Sequence, residues 1–137
     1  MKKHKTKEFD VSFEITTKIL SLDKLASSIA LRPSSGSRNK GQVQQGRKSK
    51  ETWFRLFSDL PRNSKLEKHI DSVIKRVEKG KVFKKGCLPK DNLLSLCIAE
   101  YYDLEQRANY SLVIPQKYIV WCGKHGVEIE IVAYPCN

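Results

Sequence analysis

The chain has 137 residues, 39% of them hydrophobic, and a formal net charge of +11. That size and apolar content predict one domain around one core, stable without disulfide staples, and no apolar run approaches the roughly 20 residues a membrane-spanning helix needs. The excess of lysine and arginine favours an acidic partner, a protein or a nucleic acid, and says nothing about fold.

A basic N-terminal tail, residues 1–8, precedes a single predicted domain over residues 9–136. Phe9, Val11, Phe13 and Ile15 alternate with Asp10, Ser12, Glu14 and Thr16, which predicts a strand with one buried and one wet face. Behind Ser21, the residues Leu22, Leu25, Ala26 and Ile29 recur at helical spacing and predict a short helix ending before Pro33. Arg32 to Lys50 holds six basic residues and no acidic one among glycine, serine and glutamine. So polar a segment is expected to be a mobile loop, or a surface that orders around something negative. Thr52–Phe57, TWFRLF, reads as a strand dense enough to lie centrally in a sheet.

Ser64 and Glu67 form a predicted capping box, followed by a stripe of Leu66, Ile70, Val73, Ile74 and Val77 that Gly80 closes. Lys81, Lys84 and Lys85 lead to a strand over Leu93–Ala99, and a further strand is expected over Tyr110–Ile114, across a connection at Glu100–Asn109. Pro115 suits the first turn of a helix reaching about Lys124, with Tyr118, Ile119 and Cys122 inward and Gly126 as terminator. Val127, Ile129, Ile131 and Ala133 then alternate with Glu128 and Glu130. The order β-α-β-α-β-β-α-β predicts an α+β two-layer sandwich: a mainly antiparallel five-stranded sheet with helices on one face.

The candidate binding residues are Arg32, Arg38, Lys40, Gly41, Arg47, Lys48, Lys50 and Trp53. Guanidinium and ammonium groups in the loop would engage phosphate or carboxylate, with glycine permitting close backbone approach; the alternative is a solvated insertion. Trp53 is either a stacking platform beside the loop or, as is usual for a tryptophan opening an aromatic strand, a core residue. Lys65, Lys68, Lys75, Arg76 and Lys79 lie on the polar side of the long helix, and would extend the positive surface if that side adjoined the loop.

Cys122 and His125 have a spacing that could serve zinc with two more ligands, but a core thiol and a helix-terminal histidine account for them, so no metal or other cofactor is expected. Cys87, Cys97, Cys122 and Cys136 contain no CxxC pair, and no apolar stretch follows the opening MKKHKTK. This predicts reduced thiols in a cytoplasmic protein, the alternative being a secreted, disulfide-bonded form. Glu14, Glu128 and Glu130 would share the open sheet face if the first and last strands were neighbours. No contiguous catalytic motif is present, so an enzyme is disfavoured.

An FxIT-type first strand (Phe13, Ile15, Thr16), a helix ending in Leu31-Arg32-Pro33, the loop pair Lys40-Gly41, Trp53, and the helix run Leu66-Glu67-Lys68-His69-Ile70 together resemble the uncharacterised bacterial domain-of-unknown-function family 4279. So does the closing pattern of helix, glycine and acidic-alternating strand around residues 126–134. The resemblance spans Phe9 to Tyr134. It implies no established activity, but some relatives in toxin–immunity neighbourhoods imply small cytoplasmic proteins that neutralise a toxin. It carries over Lys40, Gly41 and Trp53 as candidate binding positions. The chain departs from the family in its basicity and in Phe54-Arg55 after the tryptophan.

These readings lead to a non-catalytic immunity or inhibitor-type protein that binds an acidic toxin or effector through a basic surface. The alternative is a nucleic-acid-binding module using the loop and the helix over 64–79.

Overall fold

A computed structural model describes residues 7–103 and 111–136. Most of the basic tail, His4, Tyr110 and most of the expected 100–109 connection lie outside the described residues.

The first strand, β1 (Glu8–Thr17), buries Phe9, Val11, Phe13 and Ile15, as its alternation requires. It is central, antiparallel both to β4 (Thr52–Phe57) and to β5 (Leu93–Asp103). The last strand, β6 (Val127–Cys136), lies parallel to β5, so the main sheet is mixed and four-stranded, in the order β4-β1-β5-β6. The expected five-stranded, mainly antiparallel sheet is corrected on two physical grounds. Ser111–Ile114 forms no strand but runs irregularly into Pro115, with Leu112 and Ile114 against the core and the Ser111 carbonyl accepting from Lys7 Nζ at 2.6 Å. The helix between β5 and β6 also carries the chain back to the end where β5 began, which forces parallel pairing.

Three helices cover one face: α1 (Leu22–Ile29) on β4, α2 (Leu66–Lys79) on β1 and β4, and α3 (Gln116–His125) on β6. Their buried residues, among them Leu25, Ile29, Ile70, Val73, Tyr118 and Cys122, join the inward strand residues in one cluster.

Ser21 caps α1 as expected, its hydroxyl accepting from the Lys24 N–H at 3.4 Å. The Ser64–Glu67 box does not form. The Ser64 N–H closes a turn onto the Pro61 carbonyl at 3.0 Å, and α2 starts one residue late, with Lys65 at its cap position. Gly80 ends α2 in extended backbone, and its lack of a side chain serves close approach: a Cβ there would lie 2.4 Å from Leu31 Cγ and 2.6 Å from the Ile29 carbonyl oxygen. Pro115 stands at the cap of α3, and Ile119, expected inward, is half exposed because only Tyr118 and Cys122 turn to the core. Gly126 terminates α3 with φ +66°, the left-handed conformation that glycine adopts freely.

TWFRLF, expected at the centre of the sheet, is an edge strand. Only Thr52, Phe54 and Leu56 face the core, while Trp53, Arg55 and Phe57 lie on the opposite, helix-free face. Its aromatic density therefore reflects two occupied faces and not a central position.

Candidate functional site

The basic segment, for which a mobile loop was one of two expectations, is folded onto the domain. Residues 34–38 run along the outer edge of β4 and satisfy its backbone. Arg38 and Trp53 exchange N–H to carbonyl bonds, both at 2.8 Å, and the Ser34 N–H donates to the Arg55 carbonyl at 2.8 Å. Serine hydroxyls complete the seal: Ser37 Oγ accepts from the Arg55 N–H at 2.9 Å and Ser34 Oγ from the Phe57 N–H at 3.2 Å. The serines in this polar stretch thus stand in for a fifth strand and close an edge that would otherwise invite pairing.

Beyond them the chain forms a small hairpin, β2 (Val43–Gln44) against β3 (Arg47–Lys48). Its turn residues Gln45 and Gly46 have φ of +52° and +77°, the left-handed pair that matches hairpin twist. The hairpin base is fastened to the domain. The Gly41 N–H donates to the Ser49 carbonyl at 2.8 Å, the Leu22 N–H to Asn39 Oδ1 at 3.0 Å, and the Lys40 N–H to Thr52 Oγ1 at 3.1 Å.

Arg38, Arg47 and Lys48 line one cleft of about 290 Å³ with Gln42, Gln45 and Ser49, and among the described residues no carboxylate shares that lining. The Arg38 guanidinium also sits 5.5 Å from the centre of the Trp53 ring, and the Arg55 guanidinium 4.8 Å from it. Trp53 is half-buried on the open face, not in the core. The other predicted site residues stand apart. Lys40 Nζ donates to the Lys18 carbonyl at 2.9 Å, Gly41 makes the turn at the hairpin base, and Arg32 and Lys50 are exposed outside the cleft lining.

The polar side of α2 does not extend this cleft. Arg76 reaches the Phe57 carbonyl at the far end of β4 from Trp53, about 13 Å away at roughly 3.3 Å per residue. Asp59 and Asp71 lie among Lys68, Lys75 and Lys79 there. The Ser72 hydroxyl, donating to Asp59 at 2.6 Å, lowers the carboxyl below its usual range.

On the open face, Arg55 Nε lies 2.8 Å from Glu14 Oε1, and Cys97 Sγ donates to Glu130 Oε2 at 3.8 Å. β5 separates β1 from β6, so Glu14 and Glu130 flank Cys97 and are not the neighbouring-strand pair that carboxylate catalysis was expected to need. Burial pushes the Cys97 thiol up, and Glu14 and Glu130 push it further. At the other end of this face, Arg62 grips Asp10 through two bonds of 3.1 and 3.0 Å, and the Tyr101 hydroxyl donates to the same carboxylate at 3.0 Å. Tyr101 in turn stacks on Tyr134 with centroids 5.4 Å apart. These groups hold one another, and the arrangement suits a rigid surface.

Cys122 is buried, which raises its thiol pKa, and His125 stacks on Phe83 at a centroid distance of 3.9 Å. Among the described residues no group of three or more His, Cys, Asp or Glu is placed to hold a metal ion. His69, part of the helix run that carried the resemblance, is fully buried in α2, with its Nδ1 2.7 Å from Ser58 Oγ and its ring meeting Phe9 edge-on. Its position beside Ile70, three residues after Leu66, was the available signal for that burial. The Asp10–Arg62 pair joins residues far apart in sequence and left no signal.

A mixed four-stranded sheet under three helices, with a cationic hairpin at its sealed edge, defines an α+β fold. The chain belongs to the family described as Domain of unknown function (DUF4279), whose model matches residues 4–135. Neither a curated protein nor a solved structure matches it.

Proposed function

We propose that this chain is a non-catalytic binding protein of the immunity or inhibitor kind, acting in the cytoplasm, which neutralises a toxin or effector by holding an acidic segment of it in the hairpin cleft. The observation that carries the reading is the convergence of Arg38, Arg47 and Lys48 on a cleft whose described lining includes no acid. Carboxylates entering it would meet forked guanidinium donors. Trp53 beside the cleft supplies the aromatic anchor that, with arginine, most often dominates interface energetics. Because the hairpin is already tied down, little ordering entropy is lost on binding.

A nucleic-acid backbone draws on many cations spaced along one surface, and the gap between the hairpin and α2, with Asp59 and Asp71 among the α2 lysines, favours a compact protein epitope instead. The test is recovery of partners from the host's lysate by the tagged chain, with and without nuclease, at physiological ionic strength. One stoichiometric protein partner that survives nuclease supports the reading. Nuclease-sensitive recovery of RNA or DNA with many proteins overturns it.

A further inference from the structure

The two edges of the main sheet are finished differently. Ser34, Ser37 and Arg38 seal the outer edge of β4, whereas no described residue pairs with the outer edge of β6. That strand is ten residues long and exposes apolar side chains on both sides: Ile131 on the helix side is 46% exposed, and Val132 and Tyr134, beyond Glu128 and Glu130 on the open side, are 37% and 46% exposed. The helix that packs on β6, α3, carries exposed apolar side chains of its own in Ile119 and Val120. A long edge of this kind is a template for strand addition.

Charge selects the occupant. The chain carries +11 overall, but residues 91–137 sum to −3. A second copy, repelled elsewhere, meets least repulsion here, whereas an acidic partner is drawn to the opposite edge, where the hairpin lies.

We infer that β6 pairs antiparallel with β6 of a second copy, joining the two sheets into one about a two-fold axis at Ile131. In that register Glu130 faces the partner's Val132 and Glu128 faces the partner's Tyr134, so no carboxylate opposes another. Sliding the axis to residue 130 would oppose the two Glu130 side chains. The hairpins stay at the outer edges of the joined sheet, so the inference stands independently of what they bind.

The test is light scattering on the full chain across the micromolar to millimolar range. The expected mass is twice 15.8 kDa, with the double replacement Val132→Glu and Tyr134→Glu, which sets carboxylates against the partner's Glu130 and Glu128, weakening dimerisation by about tenfold or more, equivalent to about 1.4 kcal/mol, and Val43→Glu on the hairpin leaving it unchanged. Ile131→Cys, in a Cys136→Ser background, should cross-link to itself on oxidation, because facing Cα atoms in an antiparallel pair lie about 4.5–5.5 Å apart. A monomer throughout the range, a dimer indifferent to the double glutamate variant, or an Ile131→Cys dimer that does not cross-link would overturn the inference. The cysteine variant decides the matter if the glutamate variant misfolds.

Discussion

Arg38 and Trp53 are bound to each other twice over: their backbones exchange hydrogen bonds of 2.8 Å in both directions, and the Arg38 guanidinium lies 5.5 Å from the centre of the indole ring. The first contact makes residue 38 part of the sheet edge, and the second fixes the side chain that forms one wall of the cationic cleft. Fold and candidate site therefore meet at this pair.

Sealing of the β4 edge by serine hydroxyls should be visible in stability. Ser37→Ala removes the acceptor for the Arg55 N–H, bonded at 2.9 Å, and should cost about 1 kcal/mol. Urea unfolding should show a lower midpoint at unchanged slope, and an unchanged midpoint would mean that water replaces the hydroxyl without loss.

Gly80→Ala should be worse. A Cβ would sit 2.4 Å from Leu31 Cγ and 2.6 Å from the Ile29 carbonyl oxygen, with backbone φ of −91° that alanine otherwise tolerates. The cost is overpacking between α2 and the chain after α1, about 1–3 kcal/mol, read as a fall in Tm. A rise in Tm, as expected for glycine replacement at an open helix end, would contradict the packing.

The cysteines should differ in reactivity. Cys136 is exposed at the end of β6, whereas Cys97 is held well above its ordinary value of 9.0 by burial and by Glu14 and Glu130, and Cys122 is raised by burial. Since the thiolate is the reactive species, iodoacetamide at neutral pH should label Cys136 before Cys97 and Cys122, as peptide mass spectrometry would show. Early labelling of Cys97 would contradict its surroundings.

Two carboxylates set an acid-side dependence. Asp91 is lowered from 3.8 first by the Thr17 hydroxyl and then by the Lys18 N–H, and Asp59 is lowered from 3.8 chiefly by Ser72. A depressed native pKa contributes stability that is present above the unfolded value and lost as pH falls through the folded one. Stability should therefore decline below about pH 3.8, and Asp91→Asn should make that decline shallower. NMR titration midpoints for Asp59 and Asp91 at or above 3.8 would contradict this.

Periodicity made the faces legible but not the neighbours. The alternation in β1, the Leu25 and Ile29 pair behind Ser21, and Gly126 after α3 report which side of an element is buried, and the structure agrees. Whether Thr52–Phe57 is central or marginal depends on Ser34–Arg38 lying along it, and that relation has no local period. The direction of β6 depends on the α3 crossover, which its own alternation does not encode. The misplaced capping box at Ser64 is a local failure: the Pro61 turn had already taken the serine's N–H. Within the site, composition marked the whole basic segment, but the Gln45-Gly46 turn folds Arg47 and Lys48 back against Val43 and Gln44, so that they line the cleft with Arg38, while Arg32 and Lys50 stay outside that lining.

The central claim is that the hairpin cleft captures an acidic protein surface. Once a partner is recovered, the association rate constant of Arg47→Glu with Lys48→Glu should be compared with wild type and with Lys68→Glu, Lys75→Glu on α2. The account predicts a large loss of association rate for the hairpin variant, greater at low salt and exceeding its effect on dissociation, with the α2 variant close to wild type. An unchanged association rate in the hairpin variant, or an equal loss in both, would contradict it.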